Sequence, residues 1–373
     1  MHRGVQSLTS WLDKNRSAPG VALQPPATAL ELAAVEDRIL SPLPADLRVV
    51  LSRCNGAKLP SGVLLAAKQG GEAGTIQDVL RTVSQELGRP EQDPEMLLPF
   101  FQKDDGGVLA FDRSAGPVSD TWPIVDFYPD SGEVRLVHRT FDGFCRLCVA
   151  EWTAEDFNAA FSLEKYLNAG LRHAQVEPDV CVAHVTVAHA LRRAGKPDLA
   201  LQQYLIAARC VPALPWADWE ALKIAAILGD TRAAIEAAGR LCARAPQARW
   251  NQRETNPSQV ADVLGHVISK LPTREPVLRL FDQLADQASN AADRAHIVAI
   301  RKAAYEKVAL PEPIAVRPCA VPAQDSLSEW LAGVTAAYAA GQLRDEDLLL
   351  EPAYAPLRDK ADLGSVLRTA RSF

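Results

Sequence analysis

The chain has 373 residues, of which 48% are apolar and 23% charged, and its formal net charge is -6. This length favours two domains, and the balance of apolar and charged residues excludes a disordered chain or a fibre. The longest apolar runs have about ten residues, well short of the roughly 20 that a membrane-spanning helix needs. We therefore expect a folded protein with no membrane segment.

The cysteine pattern indicates a cellular compartment. Seven cysteines are scattered along the chain rather than clustered as in small disulfide-rich domains. No apolar segment follows the first residues, so no export signal is expected. Both observations favour a reducing cytoplasm.

The first 90 residues are predicted to be mostly helical. Helical spacing of apolar residues, with proline or Asn-Gly at the helix ends, predicts three helices and then a strand-loop-helix unit. The predicted elements are helix Val5–Lys14, a helix from Thr28 to before Pro42, helix Ala45–Cys54, strand Val63–Ala66 and helix Thr75–Leu87.

From Leu97 the hydrophobic pattern becomes that of short strands. Turn sequences such as Asp104-Asp105-Gly106-Gly107 separate the apolar runs, which predicts an antiparallel meander. A helix from about Thr140 closes this first domain, assigned to residues 1–152 as an α+β fold. The predicted strands are Leu97–Phe101, Val108–Phe111, Ile124–Tyr128 and Glu133–His138.

The remaining residues, 153–373, are predicted to form an all-α domain of helical hairpins. Gly195 and Gly229 are 34 residues apart, as are Ala200 and Ala234. This is the period of tetratricopeptide repeats, in which small residues allow close helix packing and a glycine makes the turn. The register is lost between residues 247 and 330, and the segment from Leu348 to Asp359 resembles the end of such an array.

Acidic residues are concentrated in the first half of the chain. Residues 1–165 carry 23 acidic and 16 basic side chains, whereas the rest carries 23 and 24. Residues 91–133 contain ten carboxylates but only two basic side chains, Lys103 and Arg113. The negative electrostatic potential of such a segment repels nucleic acid and attracts a basic protein. The candidate partner-binding residues are Asp104, Asp105, Asp112, Asp120, Asp126 and Asp130.

The order of motifs in residues 20–152 resembles the SUKH (SMI/KNR-like) superfamily. The residues that carry this resemblance are Pro25-Pro26-Ala27, Leu32-Ala33-Ala34-Val35-Glu36, Leu43-Pro44-Ala45-Asp46-Leu47, Cys54-Asn55-Gly56, Leu97-Leu98-Pro99-Phe100, Asp104-Asp105-Gly106-Gly107 and Arg139-Thr140-Phe141-Asp142-Gly143-Phe144. The stretch Ser114 to Trp122 is an insertion relative to that pattern. The resemblance implies a non-catalytic domain of the kind found in bacterial immunity proteins, which bind and neutralise toxins in the cytoplasm.

Two patterns in the sequence are similar to a phosphate-binding loop and to a zinc site. The loop Gly70–Gly74 follows a strand and precedes a helix, but it lacks the Gly-Lys-Ser/Thr of a phosphate-binding loop, so an ordinary loop is favoured. Zinc ligands at helical spacing are Cys145, Cys148, Cys181 and His184, but zinc-binding cysteines usually come from tight turns. Buried cysteines are therefore favoured, and a zinc clip is the alternative.

No nucleophile, base and orienting group can be assembled from the sequence, so no enzyme activity and no cofactor are expected. The favoured hypothesis is an immunity-type protein that binds a basic toxin effector. The alternative is a scaffold or regulatory adaptor that binds protein ligands through its helical repeats. Neither a nucleic acid nor a membrane is an expected partner.

Overall fold

The computed structural model describes residues 2–68, 74–93, 95–115, 122–210, 214–244, 256–313 and 321–372. The chain forms two compact units. Unit 1 comprises residues 1–160 and 171–183, and unit 2 comprises residues 161–170 and 184–373.

Unit 1 contains one antiparallel sheet, with seven strands among the described residues and every strand paired to its neighbours in sequence order. The predicted meander is confirmed, and the sheet also contains the strand predicted near Val63 and two further strands of only two and three residues. The strands are β1 (Ala22–Leu23), β2 (Ala57–Leu59), β3 (Gly62–Leu64), β4 (Leu98–Lys103), β5 (Val108–Phe111), β6 (Ile124–Tyr128) and β7 (Glu133–His138).

Five helices lie wholly within unit 1 in the part of the chain that the structure describes. They are α1 (Arg3–Lys14), α2 (Ala29–Ile39), α3 (Ala45–Leu51), α4 (Ile76–Leu87) and α5 (Phe141–Trp152). Threonine side chains cap α2, α4 and α5 by accepting a hydrogen bond from a backbone N–H of the first turn.

Aromatic packing joins α5 to the sheet. The ring of Phe100 on β4 lies 4.7 Å from that of Phe111 on β5, and 5.3 and 5.1 Å from those of Phe141 and Phe144 on α5. All four side chains are buried. This cluster holds the sheet in place and so positions the turns that connect its strands.

The remainder of the chain is largely helical, as predicted. Helix α6 (Leu163–Val176) and helix α7 (Cys181–Arg193) each contribute residues to both units. The other helices of unit 2 are α8 (Pro197–Ala207), α9 (Pro215–Leu228), α10 (Thr231–Arg244), α11 (Pro257–Ser269), α12 (Glu275–Gln287), α13 (Ala291–Glu306), α14 (Leu327–Ala339), α15 (Asp345–Leu350), α16 (Ala355–Lys360) and α17 (Leu363–Leu367).

Gly195 and Gly229 end helices α7 and α9 in the left-handed conformation, with φ of 70° and 75°. Both glycines therefore occupy helix-to-helix turns, where a residue without Cβ is favoured. At Gly195 a Cβ would also lie 2.4 Å from the backbone oxygen of Arg368. The C-terminal segment of unit 2 thus packs directly against the first of these turns.

Buried ion pairs tie helix α15 to α7 and α9 within unit 2. The Arg192 guanidinium lies 2.8 Å from Asp345 and also donates to the Leu367 carbonyl oxygen at 3.0 Å. The Lys223 ammonium lies 2.8 Å from the carboxylate of Glu346. Because an unpaired buried charge is costly, these contacts fix the C-terminal helices to the helical hairpins.

Candidate protein-binding surface

Two turns that carry predicted binding residues lie at the same end of the sheet of unit 1. The turn between β4 and β5 precedes Val108, which pairs with Phe127, and the turn between β6 and β7 follows Tyr128, which pairs with Glu133. We refer to Asp104, Asp105 and Asp130 in these turns, together with Glu133 at the start of β7, as the acidic turn end. The first three are exposed and Glu133 is half-buried.

Lys103 partly neutralises this region. Its ammonium lies 2.8 Å from Asp126 Oδ2, 2.9 Å from Asp105 Oδ2 and 2.8 Å from Tyr128 Oη. Asp105 in turn accepts a hydrogen bond from the backbone N–H of Gly107. The lysine thus organises the β4–β5 turn, whereas Asp104, which has no ion pair among the described residues, remains exposed to solvent.

The pKa values of the two aspartates beside Lys103 move in opposite directions. Burial raises the pKa of Asp126, and the ion pair with Lys103 only partly offsets that effect. Burial also raises the pKa of Asp105, but the hydrogen bonds from Lys103 and Gly107 outweigh it and the net pKa is lowered. Asp105 is therefore firmly ionised at neutral pH and keeps its charge at the surface.

Two of the six predicted binding residues are buried. Asp126 lies on β6 beneath Lys103, and Asp112 follows β5, where its carboxylate accepts a hydrogen bond from the backbone N–H of Ser114 at 3.0 Å. Their carboxylates serve the fold and are not displayed to solvent. Asp104, Asp105 and Asp130 are exposed, and Asp120 lies outside the described residues.

The four candidate zinc ligands of the sequence analysis are divided between the two units of the structure. Cys145, Cys148 and Cys181 are buried in unit 1, and burial raises the pKa of the thiols of Cys145 and Cys148. His184 belongs to unit 2, where its Nδ1 lies 3.0 Å from Gln203 Oε1. Raised thiol pKa values disfavour the thiolate that zinc requires.

A different group with metal-ligand chemistry was missed by the sequence analysis. The group consists of His138, His173 and Glu177, all of which belong to unit 1. Each side chain offers one potential ligand atom, and these three atoms lie within 4.8 Å of one another. The spacing of His173 and Glu177, one helical turn apart, was a local signal for this pair. The approach of His138 is a tertiary contact and has no local signal.

The Gly-rich loop weighed as a phosphate cradle falls mostly on residues 69–73, outside the described residues. Thr75, just after it, acts as the N-cap of α4 and accepts a hydrogen bond from the backbone N–H of Asp78 at 3.0 Å.

No helix in the described part of the chain combines the length and apolar character needed to cross a membrane.

Comparison with known proteins identifies the N-terminal region. Residues 26–146, about a third of the chain, match the model of the SMI1 / KNR4 family (SUKH-1). This match covers all of the acidic turn end and supports a SUKH domain within unit 1. No curated protein and no solved structure gave a significant match to the chain.

Proposed function

We propose that this chain is an immunity-type protein, which binds and neutralises a basic toxin effector in the cytoplasm by occlusion rather than by catalysis. The observation that carries the proposal is the match of residues 26–146 to the SMI1 / KNR4 family (SUKH-1). The resemblance of this family to bacterial immunity proteins supplies the class of partner, a delivered protein toxin.

The acidic turn end is the proposed contact surface. Its exposed carboxylates, Asp104, Asp105 and Asp130, lie in turns, where a partner can approach without disturbing the strands. Like charges at one end of a domain steer an oppositely charged partner and select against others. A basic effector is therefore the partner whose charge fits this surface.

A pull-down from a lysate of the native cell tests this proposal. Three full-length baits are compared: the native chain, the Asp104→Lys, Asp130→Lys variant, and a control variant, Asp37→Lys, Glu86→Lys. The control makes the same change of charge on exposed positions of α2 and α4. We expect the native and control baits to capture a basic protein and the turn variant to lose it.

The charge reversals are chosen to leave the fold intact. Asp104 and Asp130 are exposed turn residues, and substitutions at such positions usually change stability by less than about 0.5 kcal/mol. Loss of the partner by the turn variant alone, with unchanged circular dichroism, would support the proposal. Equal capture of a basic partner by all three baits would place the contact elsewhere and contradict it.

An adaptor function is the second candidate, favoured by one feature of unit 2. Leu199 and Ile206, seven residues apart on one face of α8, are 47% and 40% exposed. Two exposed aliphatic side chains on one helical face suit an apolar protein ligand. For an adaptor, the Leu199→Asp, Ile206→Asp variant would lose the captured protein and the turn variant would retain it.

A further inference from the structure

The group His138, His173 and Glu177 is built from two separate segments of unit 1. His138 is the last residue of β7, His173 lies on α6, and Glu177 follows the last residue of α6. Residue 138 lies inside the segment that matches the family model, and residues 173 and 177 lie outside it. The group therefore joins the SUKH domain to the segment that follows it.

The side chains of the group are largely buried. His138 and Glu177 are 6% exposed, and His173 is half-buried. His138 Nδ1 lies 2.5 Å from Glu177 Oε2, and the backbone N–H of Arg139 donates to Glu177 Oε1 at 3.0 Å. The carboxylate is thus oriented by two donors, one of them from the backbone.

Hydrogen bonding does not account for one ring nitrogen of His173. Its Nε2 is buried without a hydrogen-bond partner among the described residues, and it lies 3.5 Å from Glu177 Oε2. A buried ring nitrogen without a hydrogen-bond partner is costly, and a lone pair there is suited to a cation. With bond lengths of about 2.0–2.1 Å, two ligand atoms of a tetrahedral zinc ion lie about 3.4 Å apart.

The backbone leaves room for this carboxylate. Gly143 on α5 has no side chain, and a Cβ there would lie 2.1 Å from Glu177 Oε1. The orientation of Glu177 therefore depends on a glycine as well as on the N–H of Arg139. Such second contacts around a ligand are typical of metal sites, where they fix ligand direction.

We propose that His138, His173 and Glu177 bind a divalent transition-metal ion, zinc in the first instance, as a structural clip within unit 1. Two imidazoles and a carboxylate are a zinc ligand set, with a water completing the fourth position. His138 binds through Nδ1 once its ring proton moves to Nε2, and the carboxylate shifts from hydrogen bonding to coordination. Because His138 lies on β7 and the other two ligands lie at the end of α6, the proposed ion cross-links two segments of unit 1.

Zinc titration of the full-length, chelator-treated chain tests this proposal. Affinity is measured by competition with a chromophoric chelator, bound metal by elemental analysis, and the melting temperature with and without zinc. We expect one zinc ion per chain and a higher melting temperature with zinc, because a ligand that binds only the folded state stabilises it.

Three variants distinguish the ligand set. His173→Gln and Glu177→Gln each remove a ligand and should weaken zinc binding by more than the 10–100-fold typical of losing an outer contact. His184→Gln, which removes the histidine of the rival Cys145, Cys148, Cys181 and His184 set, should bind zinc like the native chain. His173→Gln removes a nitrogen that has no hydrogen-bond partner among the described residues, so its fold is expected to survive.

Three results would overturn the proposal. The native chain could bind no stoichiometric zinc, in which case the group is a proton-sharing triad only. The variants at His173 and Glu177 could keep both native affinity and the zinc-induced rise in melting temperature. Loss of zinc by His184→Gln with retention by His173→Gln would assign the ion to the cysteine set.

Discussion

At the scale of single residues, Lys103 pairs with two carboxylates, one of which is buried and one exposed. Its ammonium lies between Asp105 and Asp126, so that one carboxylate stays in the interior and the other is held at the turn. Oδ1 of Asp126 is buried without a hydrogen-bond partner among the described residues. The ion pair with Lys103 is therefore the main compensation for burying this charge.

Substitution of Lys103 by methionine should lower the free energy of unfolding by about 2–3 kcal/mol, because it leaves the Asp126 charge buried and unpaired. The figure lies below that of a fully buried pair, since the lysine side chain is 26% exposed. Urea denaturation followed by circular dichroism measures the change. Asp104→Asn, which removes an exposed carboxylate from the same turn, serves as the control and should change stability by less than about 0.5 kcal/mol.

At the scale of elements, the strands and helix caps with clear local signals were predictable. Strands β5, β6 and β7 begin and end at the predicted residues, and Thr140 caps the helix that was placed there. Strands β1 and β2 were missed, because two or three residues are too few to show an alternating pattern. Their existence depends on pairing with neighbours rather than on their own sequence.

The burial of predicted site residues was less predictable. All four residues of Ile124–Phe127 on β6 are buried, so the strand lacks the alternation that would have marked Asp126 as interior. The group around Glu177 was missed for another reason. His138 and Glu177 are 39 residues apart, and only the folded chain brings their side chains together.

The two hairpin glycines of unit 2 allow a matched prediction. Gly229→Ala should cost about 1–2 kcal/mol, because alanine must adopt a positive φ in open space. Gly195→Ala carries the same cost and in addition forces a Cβ against the Arg368 oxygen, so we expect at least about 1 kcal/mol more. For both variants, the midpoint of urea-induced unfolding is measured on the same unfolding transition. Equal losses would show that the C-terminal segment does not pack on this turn.

At the scale of the whole molecule, charge is divided unequally along the chain. The first 165 residues carry seven more acidic than basic side chains, since 23 oppose 16, whereas the remainder is nearly balanced with 23 and 24. Folding brings part of this excess to the acidic turn end and buries part of it. We therefore propose that unit 1, through its two acidic turns, attracts a partner over a long range.

The association rate constant of the captured basic partner tests this account most directly. It is measured by stopped flow at low and at physiological salt for the native chain, the Asp104→Lys, Asp130→Lys variant and the Asp37→Lys, Glu86→Lys control. Because charges at the rim of an interface act mainly on association, we expect the turn variant to associate at least about tenfold more slowly at low salt, with a weaker salt dependence. The control should associate like the native chain. Equal association rate constants for the turn variant and the native chain at low salt would contradict the claim that the acidic turn end recruits the partner.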